Sequence, residues 1–181
     1  DGSVSVNYGG ESAEAPAGAF FAVGDLAGHA LLQSGIIQAS RSEMHGASVT
    51  HSGSVSATDA KVANFTTFAG SAGSLSATNL SVVGGSSAAS AATFDLSSKS
   101  NSVSKLEPSG VFENLSLRSS RSLTLGTPLN EQKALVEDSF QAQNLDLRVD
   151  AGDLSLAVPF SPHTSNLDNS LLLAAEGNLL L

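Results

Sequence analysis

The stretch from Gly53 to Gly85 nearly repeats itself. Ser54-Val55-Ser56-Ala57-Thr58-Asp59-Ala60-Lys61-Val62 is answered by Ser74-Leu75-Ser76-Ala77-Thr78-Asn79-Leu80-Ser81-Val82, and a glycine (Gly53, Gly73) precedes each copy. A fixed period of about 20 residues marks stacked supersecondary units that bury their apolar faces on one another. This constrains the fold more than any single-residue motif does.

A second repeat follows. Asn114-Leu115-Ser116-Leu117-Arg118 and Ser122-Leu123-Thr124-Leu125-Gly126 return as Asn144-Leu145-Asp146-Leu147-Arg148 and Asp153-Leu154-Ser155-Leu156. Ser170-Leu171-Leu172-Leu173 with Asn178-Leu179-Leu180-Leu181 is a degenerate third copy. Each L-x-L places both leucines on one face of a strand. The doublets recur after about 30 residues, not 20. That difference allows two sub-regions meeting near Pro108, or one solenoid with a helical insertion in its later turns.

The remaining pieces are read by the same rules. Ser3–Tyr8 alternates as a strand, Glu11 to Gly18 reads as a loop, and Ala19–Val23 is a short apolar strand. Leu26 to Gln33 fits a short helix or the start of a strand. The Ser/Ala run 86–93 is a linker or a thin alanine-lined rung, and Pro108-Ser109-Gly110 is the strongest turn signal. One helix is expected at about 130–143: Asn130 can cap it, Lys133 and Glu137 are four apart, and Leu135, Val136 and Phe140 share a side. The expected organisation is a strand and loop region at 1–46, β repeats of about 20 residues at 47–107, and L-x-L repeats with the helical insertion at 108–181.

Composition narrows the function. Charged residues make up 14%, and Ser, Ala and Gly fill the gap, which suits narrow, tightly stacked β structure. The net charge is −9 with eight scattered Lys and Arg, so nucleic acid and anionic membranes are disfavoured partners. No apolar run is long enough to span a bilayer. The chain starts at Asp1 and its only Met is Met44, as in a processed mature chain or a piece of a longer one. Zero Cys excludes a disulfide scaffold, and the acidic, Lys-poor make-up leans extracellular.

Runs such as Asn144-Leu-Asp-Leu-Arg-Val-Asp-Ala-Gly-Asp-Leu-Ser-Leu resemble two groups. One is the β-helix of large bacterial adhesins of the filamentous-haemagglutinin type. The other is the shaft of trimeric viral and phage fibres. The resemblance covers about residues 45–83 and 114–181. Either group implies structural or adhesive work.

Residues suited to chemistry are few. His45 and His51, with Glu43 nearby, could approach across a turn, but their spacing fits no metal signature; with His29 and His163 they are read as surface histidines. Any Ser–His–Asp set can be composed on paper, but no G-x-S-x-G elbow occurs. Asp146, Asp150 and Asp153 are the best candidates for paired acid/base carboxylates or for a calcium site, as are Asp59 and Asn79 for calcium. Their structural reading, Asn and Asp stacked at turns, is preferred. The Thr58/Thr78 repeat hints at a flat face for glycan or ice. Sequons at Asn64, Asn79 and Asn114 are expected by chance in a chain this rich in Ser and Thr.

The expectation is therefore an all-β, elongated, repeat-built protein, a β-solenoid or fibrous β-helix with one short helix. No catalytic residue, cofactor or metal is assigned. The leading function is a structural subunit of an extracellular or virion assembly (a fibre, spike or surface filament), self-associating as a trimer or filament or joining other subunits. The alternatives are a glycan- or surface-binding adhesin module and a β-helical glycan-active enzyme. Leu179–Leu181 are expected to lie under another copy or another subunit.

Overall fold

The computed structural model describes residues 4–8, 11–15, 19–23, 30–126, 140–157, 161–162 and 170–180. Among them the chain is all β, with a single 3-10 turn at Ala88–Ser90 and no α-helix. An antiparallel hairpin, β1 (Val4–Tyr8) and β2 (Glu11–Ala15), comes first and lies beside β3 (Ala19–Val23). The acidic segment after Gly10 thus pairs as a strand where a loop was expected.

From there, strands fall into two sheets of eight. The first sheet contains β3, β5 (Ile36–His45), β7 (Ser54–Ala63), β9 (Ser74–Val83), β11 (Ser102–Ser109), β13 (Leu123–Leu125), β15 (Leu154–Leu156) and β18 (Leu179–Leu180). The second contains β4 (Ala30–Gln33), β6 (Ser48–His51), β8 (Thr67–Ala69), β10 (Ala92–Leu96), β12 (Val111–Ser119) and β14 (Gln141–Val149), with both β16 (Ser161–Pro162) and β17 (Ser170–Ala175) against β14. Every pairing within them is parallel, so each strand pairs with one reached only after crossing to the other sheet.

The repeats in the sequence are the registers of these pairings. Val55 faces Leu75, Ala57 faces Ala77, Asp59 faces Asn79 and Val62 faces Val82. Asn114–Ser119 pairs in order with Asn144–Val149, and Ser170–Ala175 continues the same columns. The L-x-L leucines Leu115, Leu117, Leu123, Leu125, Leu145, Leu147 and Leu154 are buried, and Leu156 is half-buried. Down the second sheet one buried column runs Leu31, Val49, Phe68, Phe94, Leu115, Leu145. The Phe68 and Phe94 rings stack at 4.7 Å. These columns are the core.

Long strands break their alternation once. In β7 and β9 the inward positions are 55 and 57, then 60 and 62, or 75 and 77, then 80 and 82; residues 58–59 and 78–79 both face outward. The ladder steps over Ser40, Thr58 and Thr78 at the same point. Two consecutive outward residues turn a strand round a corner without losing its inward face. Gly53 and Gly73 serve another corner, where rungs touch: a Cβ on Gly53 would lie 2.1 Å from the Gly35 carbonyl oxygen, and one on Gly73 2.6 Å from the His51 ring.

Two local expectations change. Pro108 lies buried inside β11 opposite Val82, and the turn falls to Gly110, whose φ is +86°. Of the helix expected at about 130–143, residues 130–139 lie outside the described residues and Gln141–Gln143 are strand, because Ala142 packs inward in register with Phe112. Both sheets run without a break past Pro108. Among the described residues no helix is long and apolar enough to cross a membrane.

Candidate functional site

The outward faces hold the polar groups, and their arrangement follows from the register. On the first sheet one column runs Arg41, Asp59, Asn79, Lys105, and beside it runs Glu43, Lys61, Ser81, Glu107. Charges therefore alternate both along and across the strands. All of these but Glu43 line an open groove of about 270 Å³. Arg41 pairs with Glu43, Lys105 Nζ lies 2.8 Å from Glu107, and Asn79 Nδ2 donates to Asp59 Oδ1 at 2.7 Å. Burial pushes the Glu43 carboxyl up, but hydrogen bonds from Arg41 and His45 outweigh it and hold its pKa below the ordinary value.

The second sheet carries a ladder of amides and hydroxyls. Asn114 Nδ2 donates to Thr93 Oγ1 (3.3 Å), Asn144 Nδ2 to Asn114 Oδ1 (2.8 Å) and Ser170 Oγ to Asn144 Oδ1 (2.8 Å). Next to it Arg118 and Arg148 are register neighbours, a like-charge pair that needs compensation. Arg148 forks onto Asp146 at 2.8 Å, and Arg118 Nε meets both oxygens of Asp150 at 2.9 Å. The Arg118 hydrogen bond holds the Asp150 pKa below the usual carboxylate range.

The three aspartates singled out for acid/base or calcium chemistry thus face separate partners. Asp146 and Asp150 have different arginines, and Asp153 accepts from the Asn178 backbone N–H (2.7 Å) and Nδ2 (3.0 Å). Among the described residues no three His, Asp or Glu side chains gather as metal ligands. The histidine pair also separates. His45 lies near the surface against Glu43 (3.3 Å) and Asn64 (3.1 Å), while His51 points into the core. His29 and His163 lie outside the described residues.

His51 corrects the surface reading. It is 1% exposed because it ends β6 at an inward position, where its ring stacks on Phe68 at 6.2 Å. Gln33 Nε2 donates to the Gly35 carbonyl, which turns Gln33 Oε1 to accept from His51 Nδ1 at 2.5 Å. Burial pushes the imidazole pKa down, offset in part by the Ser74 backbone, and Nε2 completes no hydrogen bond of good geometry.

Thr58 and Thr78 are exposed, but they sit on the strand bend and not on a flat face. The Nδ2 atoms of Asn79 and Asn114 are engaged in the polar columns, and that of Asn64, an exposed turn residue with φ +58°, lies 3.1 Å from His45 Nδ1.

Sequence reasoning missed the interior polar stitches. Asn101 Oδ1 accepts from Leu75 N–H while its Nδ2 donates to the Leu96 and Ser98 carbonyls. Ser119 bridges both backbone groups of Val103, and Arg121 Nη2 donates to the Ala77 and Ser102 carbonyls where the first sheet narrows. None of these residues falls in a repeat of its own kind, so no pattern announces them. Comparison with known proteins finds no matching family model, no similar curated protein and no similar solved structure.

Proposed function

We propose that this chain is a non-catalytic structural subunit of an extracellular or virion assembly, a β-solenoid whose rungs are the paired strands of the two sheets. The observation that carries the reading is the in-register stacking of inner columns from Leu31 to Leu171. In such a stack each rung is buried by its neighbours, so the natural product of the fold is length and a stable lateral surface.

The outward groups support the same reading. Arg41, Arg118 and Arg148 each neutralise an acid of their own sheet, and the asparagine ladder ties rung to rung. Side chains committed to each other fix register and leave little unspent for a substrate. Light scattering on a sizing column, with negative-stain images of the same peak, tests the proposal. Self-associated particles longer than a globule are expected. A compact monomer would remove the reading and move glycan screening to the front.

A further inference from the structure

On the second sheet each ion pair spends one edge of a guanidinium. Arg118 gives Nε and Nη2 to Asp150, and Arg148 gives Nε and Nη2 to Asp146. A guanidinium has five N–H donors, so three remain on each arginine, and neither Nη1 has a hydrogen bond among the described residues. The carboxylates already hold both side chains in place, which lowers the ordering cost of any further contact. Both arginines line a pocket of about 190 Å³ with Ser97, Ser116 and Asp146. The Ser97 and Ser116 hydroxyls are also without a partner among the described residues. The nearby carboxylates are occupied: both oxygens of Asp146 face Arg148, and Asp95 Oδ1 accepts from the Ser97 N–H at 3.0 Å. Lys99, in the turn after β10, adds a charge that acts on Asp150. Three of the chain's eight Lys and Arg therefore meet here, around a pocket whose free polar groups are donors.

We propose that this pocket binds the sulfate ester group of a sulfated sugar, its terminal oxygens accepting from Arg118, Arg148 and the Ser97 and Ser116 hydroxyls. Such binding needs one chain only, so it stands apart from the structural-subunit reading. Size points to one group and not a whole molecule, because sites that engulf a small ligand are larger, about 300–1,000 Å³. Shape points to a tetrahedral oxyanion. The arginines come from strands about 4.8 Å apart and Ser116 from a different column, so the donors do not share the plane that a carboxylate needs. Charge points to a monoanion. A phosphate monoester carries about −1.5 to −2 at neutral pH. Asp146, Asp95 and a chain of net −9 repel that extra charge.

Glucose 6-sulfate titrated into the full chain, at an ionic strength held constant with NaCl, tests this by nuclear magnetic resonance. The Nε–H signals of Arg118 and Arg148 are expected to shift and saturate, with a dissociation constant on the order of 1 mM, while glucose moves neither. Arg148→Gln should abolish saturation, and Arg41→Gln on the other sheet should leave it unchanged. Ser116→Ala touches neither ion pair. It should keep the melting temperature and weaken binding about tenfold, the worth of one hydrogen bond to a charged group. Equal affinity in Ser116→Ala, or shifts that rise linearly without saturating, would overturn the proposal. Glucose 6-phosphate or glucuronate binding more tightly than the sulfate would overturn the choice of group. Inorganic sulfate saturating the pocket where the ester does not would overturn the sugar.

Discussion

The halves of the molecule before and after Ala92 build one core in two ways. In the earlier half the first sheet has the long strands, ten residues each in β5, β7 and β9, against three or four in β4, β6 and β8. In the later half, from β12 onward, the second sheet takes over, with nine residues in β12 and β14 against three in β13 and β15; β10 and β11, with five and eight, still follow the earlier pattern. Stacked partners are 18 to 20 residues apart early, as Gln33–His51 and Asp59–Asn79 show, and 30 apart between Asn114 and Asn144. The inner columns pass through unbroken. The core therefore fixes which residues stack, and the turns absorb whatever length lies between. Rings serve both halves: Phe65, Phe68 and His51 lie before Ala92, and Phe94, Phe112 and Phe140 lie after it.

The largest test of this contrast sets Phe68→Ala against Leu145→Ala, members of one column in different halves. Denaturant titration is expected to show losses of about 4 and about 3 kcal/mol. Equal losses would mean that the stacked rings add nothing beyond area. Gly53→Ala should cost about 2 kcal/mol by overpacking the tight early corner, whereas Gly35→Ala, whose Cβ would meet nothing within 4 Å, serves as its control. Asn144→Ala removes the middle of the amide ladder and should cost about 1 kcal/mol in the later half, read by slowed or lost amide protection in β12, β14 and β17. If Asn144→Ala is silent, the ladder follows register and does not set it.

The smallest effect depends on pH. The folded pKa of His51 lies below its ordinary 6.5, so the unfolded chain binds more protons there. Its contribution is complete above about pH 6.5 and fades as pH falls toward the folded value. Asp150, depressed from 3.8, loses its contribution only as pH falls below about 4. The early half should thus soften first in acid. Titrating the unfolding midpoint of His51→Phe checks this, because the step between pH 6.5 and the folded value should vanish from it.

Much of this was readable in the residues. The Ser54–Val62 repeat gave the β7–β9 register residue for residue, and the asparagine that opens each N-L-x-L-R run gave the ladder position. The two periods, which allowed either two sub-regions or one solenoid with an insertion, are two spacings between paired strands of the same two sheets. Less was readable where a residue's environment comes from another rung. His51 alternates with Thr50 as any strand residue would, and only Gln33, 18 residues earlier, shows why it is tolerated inside. Gln141–Gln143 joined a helical pattern in sequence because amphipathic spacing over a few turns ignores a strand partner 30 residues away. The carboxylates at 146, 150 and 153 were legible as a cluster in sequence, but their partners were not, since Arg148 serves Asp146 within the strand, Arg118 reaches Asp150 from the neighbouring strand and Asn178 serves Asp153.

Parallel pairing in both sheets has a mechanical consequence. Hydrogen bonds between neighbouring strands run across the strands, hence along the direction in which strands stack in each sheet. Tension applied across the strands loads those bonds in series and peels one strand pair at a time. Tension applied along a strand shears a whole row at once. Such a pair of sheets is soft to traction across its strands and stiff along them.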